Sequence, residues 1–319
     1  MTEIGISVAA AEFGRDMEQA YRTIGRLINE ARHVGSSLLV LPEACLGGYL
    51  PSLGGGDEND EQRQHRLRNL PPALELDGPE IARVAEMAAD LVITLGFCEA
   101  DGPDRYNAAV TLDGDGVLGS YRKVHQPLGE NLCYLAGDTY EAFDTPVGRM
   151  GMQICYDKAF PEAARALALD GAEIITSLSA WPTARTNQVT NPEDDRWKQR
   201  FDIYDRARAT ENQVVWVASN QAGTFGSLRF VCSAKVVGPG GDILATTGVE
   251  PGLATARLDV RAELDAIRSG GMYNLRDRRP ELYGDVVEAN RVTGTHLDET
   301  ARPAFSRRSD ASAKEPIRA

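Results

Sequence analysis

Residues 147–179 read VGRMGMQICYDKAFPEAARALALDGAEIITSLS, and this stretch decides the fold class. Residues 147–154 and 173–179 have the length and apolar content of buried strands. Residues 161–170 between them are predicted to be helical, with a proline near the first turn. Two strands joined by a helix form a crossover unit, which favours parallel pairing in an α/β fold.

The same alternation of strands and helices recurs in the rest of the chain. The further predicted elements are a strand over 4–9, a helix over 20–31, a strand over 37–41, a helix over 79–89 and a strand over 91–98. Residues 107–125 and 230–247 are predicted to be hairpins, with turns at 113–116 and 238–241. About eleven strands result, which is more than one open sheet holds comfortably, so we expect a mixed sheet system with helices outside.

The charge of the chain excludes some classes of partner. The 34 Lys and Arg residues against 47 Asp and Glu residues give a net charge of −13. Binding to nucleic acid or to an anionic membrane requires a net basic face, so neither partner is expected. The N-terminal stretch lacks a basic segment followed by an apolar one, and no window approaches the ~18 apolar residues of a membrane span. We therefore expect a cytoplasmic protein.

The chain is predicted to form one domain over residues 1–283. Residues 54–68 are interpreted as a loop insertion, because their glycine-rich and polar start cannot be core. Residues 284–319 are polar and basic, and we expect a C-terminal extension that is extended or partly disordered.

Several common site motifs are excluded. The string Gly114-x-Gly116-x-x-Gly119 matches a dinucleotide fingerprint, but the β-branched and aromatic residues after it favour a hairpin. The sequence contains no Walker-type phosphate loop and no G-x-S-x-G serine elbow. The five cysteines include no C-x-x-C pair and the four histidines have no helical partner, so a metal site is not expected.

Three residues with reactive side chains lie at or just beyond the ends of predicted strands. Glu43 follows Leu-Leu-Val-Leu-Pro, Lys123 follows Val-Leu-Gly-Ser-Tyr-Arg, and Cys155 follows Met-Gly-Met-Gln-Ile. Ligands bind at such strand ends in α/β sheets, so the three could form a nucleophilic site. The helix after Cys155 is expected to favour its thiolate. Taken singly, each residue also fits a structural role, as a core thiol, a helix cap or a surface lysine.

Three strings together carry a resemblance to a known family. Leu41-Pro-Glu43, Tyr121-Arg-Lys123-Val-His125 and Ile154-Cys155-Tyr-Asp157 resemble, in order and spacing, the signature segments of the nitrilase (carbon-nitrogen hydrolase) superfamily. The resemblance runs from about Ile4 to Tyr283. It implies a four-layer α-β-β-α sandwich with two mixed sheets face to face and helices outside. It also implies homodimers or higher homo-oligomers and no metal or organic cofactor.

The resemblance also assigns chemical roles. Cys155 is the expected nucleophile, Glu43 the general base and Lys123 the cation that stabilises the oxyanion. The backbone N–H of Tyr156 is a second expected oxyanion donor. Glu130 resembles the family's second active-site glutamate, with a plain loop acid as the alternative.

The branch of the family indicates the reaction. Tyr156-Asp157 resembles the amidase and N-carbamoyl amidohydrolase branches rather than the nitrile-cleaving members, which usually show Trp-Glu. We expect a thiol hydrolase that forms a Cys155 thioester and releases ammonia from a small linear amide or N-carbamoyl compound. A nitrilase and a catalytically silent binding or assembly module remain alternatives. The family's Phe-x-Gly-x-Ser reads here Phe230-Val-Cys232-Ser-Ala234, and this departure leaves the substrate open.

The substrate contacts are expected from loops that follow strands. The candidates are Tyr49, Trp181, Arg185 and Asn220. The fork of the Arg185 guanidinium suits a substrate carboxylate, although a surface arginine is the simpler interpretation. Trp181 fits a pocket wall and a packed core equally well.

Overall fold

A computed structural model describes residues 3–54, 59–186 and 188–284. The chain divides into two compact units, residues 1–278 and residues 279–319. In the second unit the described residues are 279–284, with a 3₁₀ turn over Pro280–Leu282. The predicted C-terminal extension therefore lies outside the described residues, except for residue 284.

The first unit alternates strands and helices, as the sequence predicts, but its strands are more numerous. The strands of the described residues are β1 Ile4–Ala11, β2 Leu38–Val40, β3 Val92–Asp101, β4 Asp104–Asp113, β5 Gly116–Arg122, β6 Phe143–Thr145, β7 Gly148–Ile154, β8 Ile174–Leu178, β9 Val215–Ala218, β10 Asn220–Gln221, β11 Thr224–Phe225, β12 Leu228–Arg229, β13 Lys235–Val237, β14 Ile243–Thr246 and β15 Gly252–Leu258. The helices are α1 Met17–His33, α2 Asp60–Arg68, α3 Pro79–Ala88, α4 Pro161–Leu169, α5 Arg196–Asn212 and α6 Val260–Arg268.

Most strands belong to two mixed sheets. The first sheet has the order β10-β1-β2-β3-β4-β5, with β15 also paired to β1. The second sheet has the order β14-β13-β9-β8-β7-β6. Parallel pairs lie at the centre of each sheet, and antiparallel pairs such as the β4–β5 hairpin extend them. The turn between β4 and β5 confirms that the glycine string at Gly114 belongs to a hairpin.

The two sheets face each other between layers of helices. On β2, Leu38 and Val40 join the core shared with Met152 of β7, whereas Leu39 joins the core under α1 and α3. Thr111 of β4 donates a hydrogen bond to the Met152 sulfur across 3.3 Å, so the sheets are in direct contact. Because both faces of these strands are buried, they read as continuous apolar runs rather than alternating ones. The α-β-β-α sandwich is confirmed.

The sequence analysis did not predict helix α5, because this helix buries polar residues. Asp205 is fully buried and accepts hydrogen bonds from Lys158 at 2.6 Å, Lys235 at 2.8 Å and the Trp216 indole at 2.9 Å. A helix that packs through a buried ion cluster shows no continuous apolar stripe.

The loop prediction for 54–68 is wrong over its second half. Residues Asp60–Arg68 form α2, whose first turn carries Asp60 and Glu61, the acidic residues that a helix N-terminus favours. Polarity excludes these residues from the core, but charged residues with straight side chains form exposed helices readily.

None of the helices in the described part of the chain combines the length and the apolar character needed to cross a membrane.

Gly96 on β3 allows the chain after β2 to approach closely. A Cβ at this position would lie 2.5 Å from the backbone nitrogen of Ala44 and 2.7 Å from the Cα of Glu43. We expect Gly96→Ala to lower the free energy of unfolding by about 1–3 kcal/mol, because the turn at Glu43 must move. Chemical denaturation measures the change. Gly271→Ala is the matched control, since a Cβ there meets nothing within 4 Å; equal effects of the two substitutions would contradict the close approach.

Candidate active site

Glu43 lies in a turn just after β2, and its carboxylate is fully buried. Its Oε1 accepts hydrogen bonds from the Lys123 ammonium at 2.9 Å and from the Asn107 amide at 2.7 Å. Its Oε2 accepts a hydrogen bond from the backbone N–H of Ala180 at 2.5 Å. Donors from three separate parts of the chain therefore fix both oxygens.

Lys123 follows β5 directly and holds its ammonium between two carboxylates. Besides the contact with Glu43, Nζ lies 2.9 Å from Oε1 and 2.8 Å from Oε2 of Glu130. Burial alone lowers the pKa of Lys123, but attraction by Glu130 and Glu43 outweighs it, and the net pKa lies above that of an ordinary lysine. The ammonium is therefore a permanent cation at neutral pH.

Glu130 is placed by the 3₁₀ helix Leu128–Leu132, and it too is fully buried. Its Oε1 accepts hydrogen bonds from the Lys123 ammonium and from the Tyr49 hydroxyl. Burial raises the pKa of Glu130 to about 7, against the lowering effect of Lys123 and of the Tyr49 hydrogen bond. The structure thus joins Glu130 to the same ion cluster as Glu43.

Cys155 lies where β7 ends and the 3₁₀ helix Cys155–Ala159 begins. Its φ angle is +51°, a left-handed conformation that is strained for a residue with a side chain. Burial and the charge of Glu43 raise the pKa of the Cys155 thiol well above its ordinary value, although Lys123 lowers it. The expectation of a helix-stabilised thiolate is therefore wrong, since α4 begins only at Pro161 and burial prevails.

Asp157 holds the turn of Cys155 in place. Its buried carboxylate accepts hydrogen bonds from the Ile154 N–H at 3.0 Å and the Tyr121 hydroxyl at 2.7 Å. It also accepts a hydrogen bond from the backbone N–H of His125 at 2.8 Å. Because Tyr121 and His125 flank Lys123, Asp157 fastens the cysteine turn to the segment that carries the lysine.

A cavity of about 310 Å³ opens onto Cys155. Tyr49, Tyr156 and Trp181 line it, together with Leu53 and Leu128. The wall is mostly aromatic and aliphatic, so a ligand in it is largely removed from water. Two of the predicted substrate contacts, Tyr49 and Trp181, therefore do face the cavity.

The other two predicted contacts lie elsewhere. The Asn220 amide clamps the Trp181 backbone, accepting from its N–H at 2.8 Å and donating to its C=O at 3.4 Å. Arg185 is exposed and lines a neighbouring groove of about 370 Å³ instead. The exposure of Arg185 fits the simpler interpretation of a surface arginine, because following a strand does not decide which of two adjacent depressions a loop side chain enters.

Asn107, Asp157 and Ala180 are site residues that the sequence analysis did not identify as such. Asn107 lies 64 positions from Glu43 in the sequence, and its partner is set only by the pairing of β3 with β4. Asp157 was noticed as a marker of the family branch, and its capping role needs three-dimensional contacts. Among the described residues, no group of three or more histidine, cysteine, aspartate or glutamate side chains could hold a metal ion.

Comparison with known proteins supports the resemblance. The model of the family described as carbon-nitrogen hydrolase matches residues 7–266. The N-carbamoylputrescine amidase of Solanum lycopersicum is 33% identical over 304 residues, which cover 87% of this chain and 93% of that protein.

Solved structures agree with the sequence matches. A carbon-nitrogen hydrolase from Helicobacter pylori G27 superposes with a TM-score of 0.73 and 25% identity, covering 90% of this chain and 99% of that one. A variant of the amidase from Nesterenkonia sp. AN1 has a TM-score of 0.66 and 25% identity, covering 89% and 96%. That structure shows covalent addition of the acetamide moiety of fluoroacetamide at its active site cysteine. The chain therefore belongs to the carbon-nitrogen hydrolase family of the nitrilase superfamily and is an amidase-type enzyme.

Proposed function

We propose that the protein hydrolyses the C–N bond of a small linear amide or N-carbamoyl compound through a covalent adduct on Cys155. The observation that carries the proposal is the buried Glu43–Lys123–Glu130 cluster beside a thiol that opens to a cavity. The names of the similar proteins support it, since they include an N-carbamoylputrescine amidase and an amidase that is modified at its cysteine.

The first half of the reaction moves one proton twice. The raised pKa of Cys155 keeps the thiol protonated at rest, so attack on the carbonyl carbon requires a base. Glu43 takes the S–H proton as the C–S bond forms. When the C–N bond breaks, Glu43 returns that proton to the departing nitrogen, and ammonia leaves. A thioester or thiocarbamate remains on Cys155.

The second half repeats these roles with water. The water oxygen attacks the adduct while Glu43 takes a proton from the water. That proton returns to the sulfur as the C–S bond breaks. An amide then yields an acid, whereas an N-carbamoyl compound yields a carbamic acid that decomposes to an amine and carbon dioxide.

Charge that develops on the carbonyl oxygen needs donors fixed in advance. Lys123 supplies a permanent ammonium, and the Tyr156 N–H comes directly after the nucleophile. In a cavity with a largely apolar wall, such donors lower the barrier more than they would in bulk solvent. Glu130 keeps Lys123 in position and partly neutralises it. Assembly into homo-oligomers and a cytoplasmic location stay predictions.

Replacement of Cys155 tests the proposal directly. We expect Cys155→Ala to lower ammonia release from amides and N-carbamoyl amines by on the order of 10⁴-fold or more, because the nucleophile is lost. Ammonia is measured over a panel of amides, N-carbamoyl amines, N-carbamoyl amino acids and nitriles, with Cys133→Ala as the control thiol. Turnover of nitriles alone by the wild type, or full activity in Cys155→Ala, would contradict the proposal.

Replacement of Glu43 separates proton transfer from thiol reactivity. We expect Glu43→Gln to lower turnover by roughly 10²–10⁴-fold, because no base moves the proton. The thiol should nevertheless remain open to alkylation, since the substitution removes a charge that raises the pKa of Cys155 and leaves Lys123, which lowers it. Intact-mass measurement after iodoacetamide treatment, with Cys155→Ala as the blank, checks this. If the folded variant loses both alkylation and turnover, Glu43 activates the thiol instead.

The hydrogen bond from Tyr49 makes a prediction about pH. This bond lowers the pKa of Glu130, so Tyr49→Phe raises that pKa. Because protonation of Glu130 removes a partner of Lys123, the acid limb of kcat/KM should move to higher pH. Trp181→Phe, which alters the cavity wall without a bond to Glu130, should change KM and leave the limb in place. An unmoved limb in Tyr49→Phe would indicate that another group titrates there.

A further inference from the structure

The wall of the cavity that holds Cys155 carries a single charged side chain among the described residues, that of Arg200. Arg200 is exposed on α5, three positions after Trp197, which lines the same cavity. Residues three apart on a helix share a face, so Arg200 and Trp197 lie on the side of α5 that lines the cavity.

The guanidinium of Arg200 makes no hydrogen bond or ion pair within the described parts of the chain. Its neighbour on the helix, Lys198, is paired with Glu193 and lies 2.8 Å from Asp202. The acidic residues nearby are therefore already engaged by another cation. An arginine without a protein partner beside an apolar cavity is suited to an anion that comes with the ligand.

Within the described residues, the floor of the cavity offers no second site for a charged group of the ligand. Glu43 and Glu130 are fully buried and both bind the Lys123 ammonium. A substrate with an ammonium at its far end would meet the Arg200 cation and, among the described lining residues, no carboxylate. A substrate with a carboxylate there would meet a planar fork of donors.

We propose that Arg200 binds a carboxylate of the substrate, and that the substrates are N-carbamoyl or amide compounds with an anionic group at the end remote from the scissile bond. This inference rests on the proposed function. It transfers to Arg200 the role that the sequence analysis gave to Arg185. It also predicts that this chain does not prefer N-carbamoylputrescine, the compound in the name of the tomato relative.

The test uses three ureas that share one alkyl chain and differ only in the terminal group, which is a carboxylate, a methyl or an ammonium. N-carbamoylputrescine is the ammonium member. The ratios of kcat/KM are measured over several chain lengths. We expect the wild type to prefer the carboxylate over the methyl compound by about tenfold at its best length, as a charge-assisted bidentate pair provides. The preference should shrink as ionic strength rises.

Variants of the two arginines decide between the two assignments. Arg200→Gln should remove the carboxylate preference, Arg200→Glu should shift it toward the ammonium compound, and Arg185→Gln should retain it. The inference is overturned if the wild type shows no carboxylate preference at any length, or if Arg185→Gln rather than Arg200→Gln removes it.

Failure of the proposed function is distinguishable from failure of this inference. If the wild type hydrolyses none of the three ureas at any length, hydrolysis of ureas is refuted, and binding then tests Arg200 separately. Calorimetry compares the carboxylate and methyl ureas on Cys155→Ala and on the Cys155→Ala, Arg200→Gln double variant. Tighter binding of the carboxylate that the double variant loses supports the inference, and equal binding of the two ureas overturns it.

Discussion

The ammonium of Lys123, buried between the carboxylates of Glu43 and Glu130, is the interaction on which the site depends. An isolated buried ammonium is several kcal/mol less favourable than one in water, and only close opposite charges offset this. The cluster therefore requires that the turn after β2, the end of β5 and the 3₁₀ helix of Glu130 meet within 2.9 Å of one atom. Elements that are distant in the sequence are held in register by this requirement.

The same burial determines how the thiol can react. Cys155 is buried near two carboxylates and one ammonium, and the balance of burial and charge raises the pKa of its thiol. A resting thiolate would add a third negative charge beside a single cation. In the proposed reaction, the thiol proton moves to Glu43 only when a carbonyl carbon is in place to accept the sulfur. The proposed catalysis and the protection of the resting thiol thus have one electrostatic origin.

The sequence predicted the parts of the site that local strings encode, and it missed the parts that pairing across the fold creates. Glu43, Lys123 and Cys155 each follow a strand within a short signature, so their positions were recognisable. Asn107 reaches Glu43 only through strand pairing. Helix α5 was missed because it buries an aspartate bound by two lysines instead of an apolar stripe. The sequence did not decide where Arg185 lies, because two depressions adjoin the same loop.

These differences reflect two parts of the site, a buried floor and an exposed rim. The floor consists of buried charges close to strand ends. Removal of one charge there leaves an unpaired ion, so the chemistry tolerates few substitutions. The rim consists of α5 and of loops, where the exposed Arg200 side chain has no hydrogen-bond or ion-pair partner in the described part of the chain. A residue such as Arg200 can therefore change without disturbing Lys123. We therefore expect proteins with the same floor to act on amides whose remote ends differ in charge, with specificity decided by the rim.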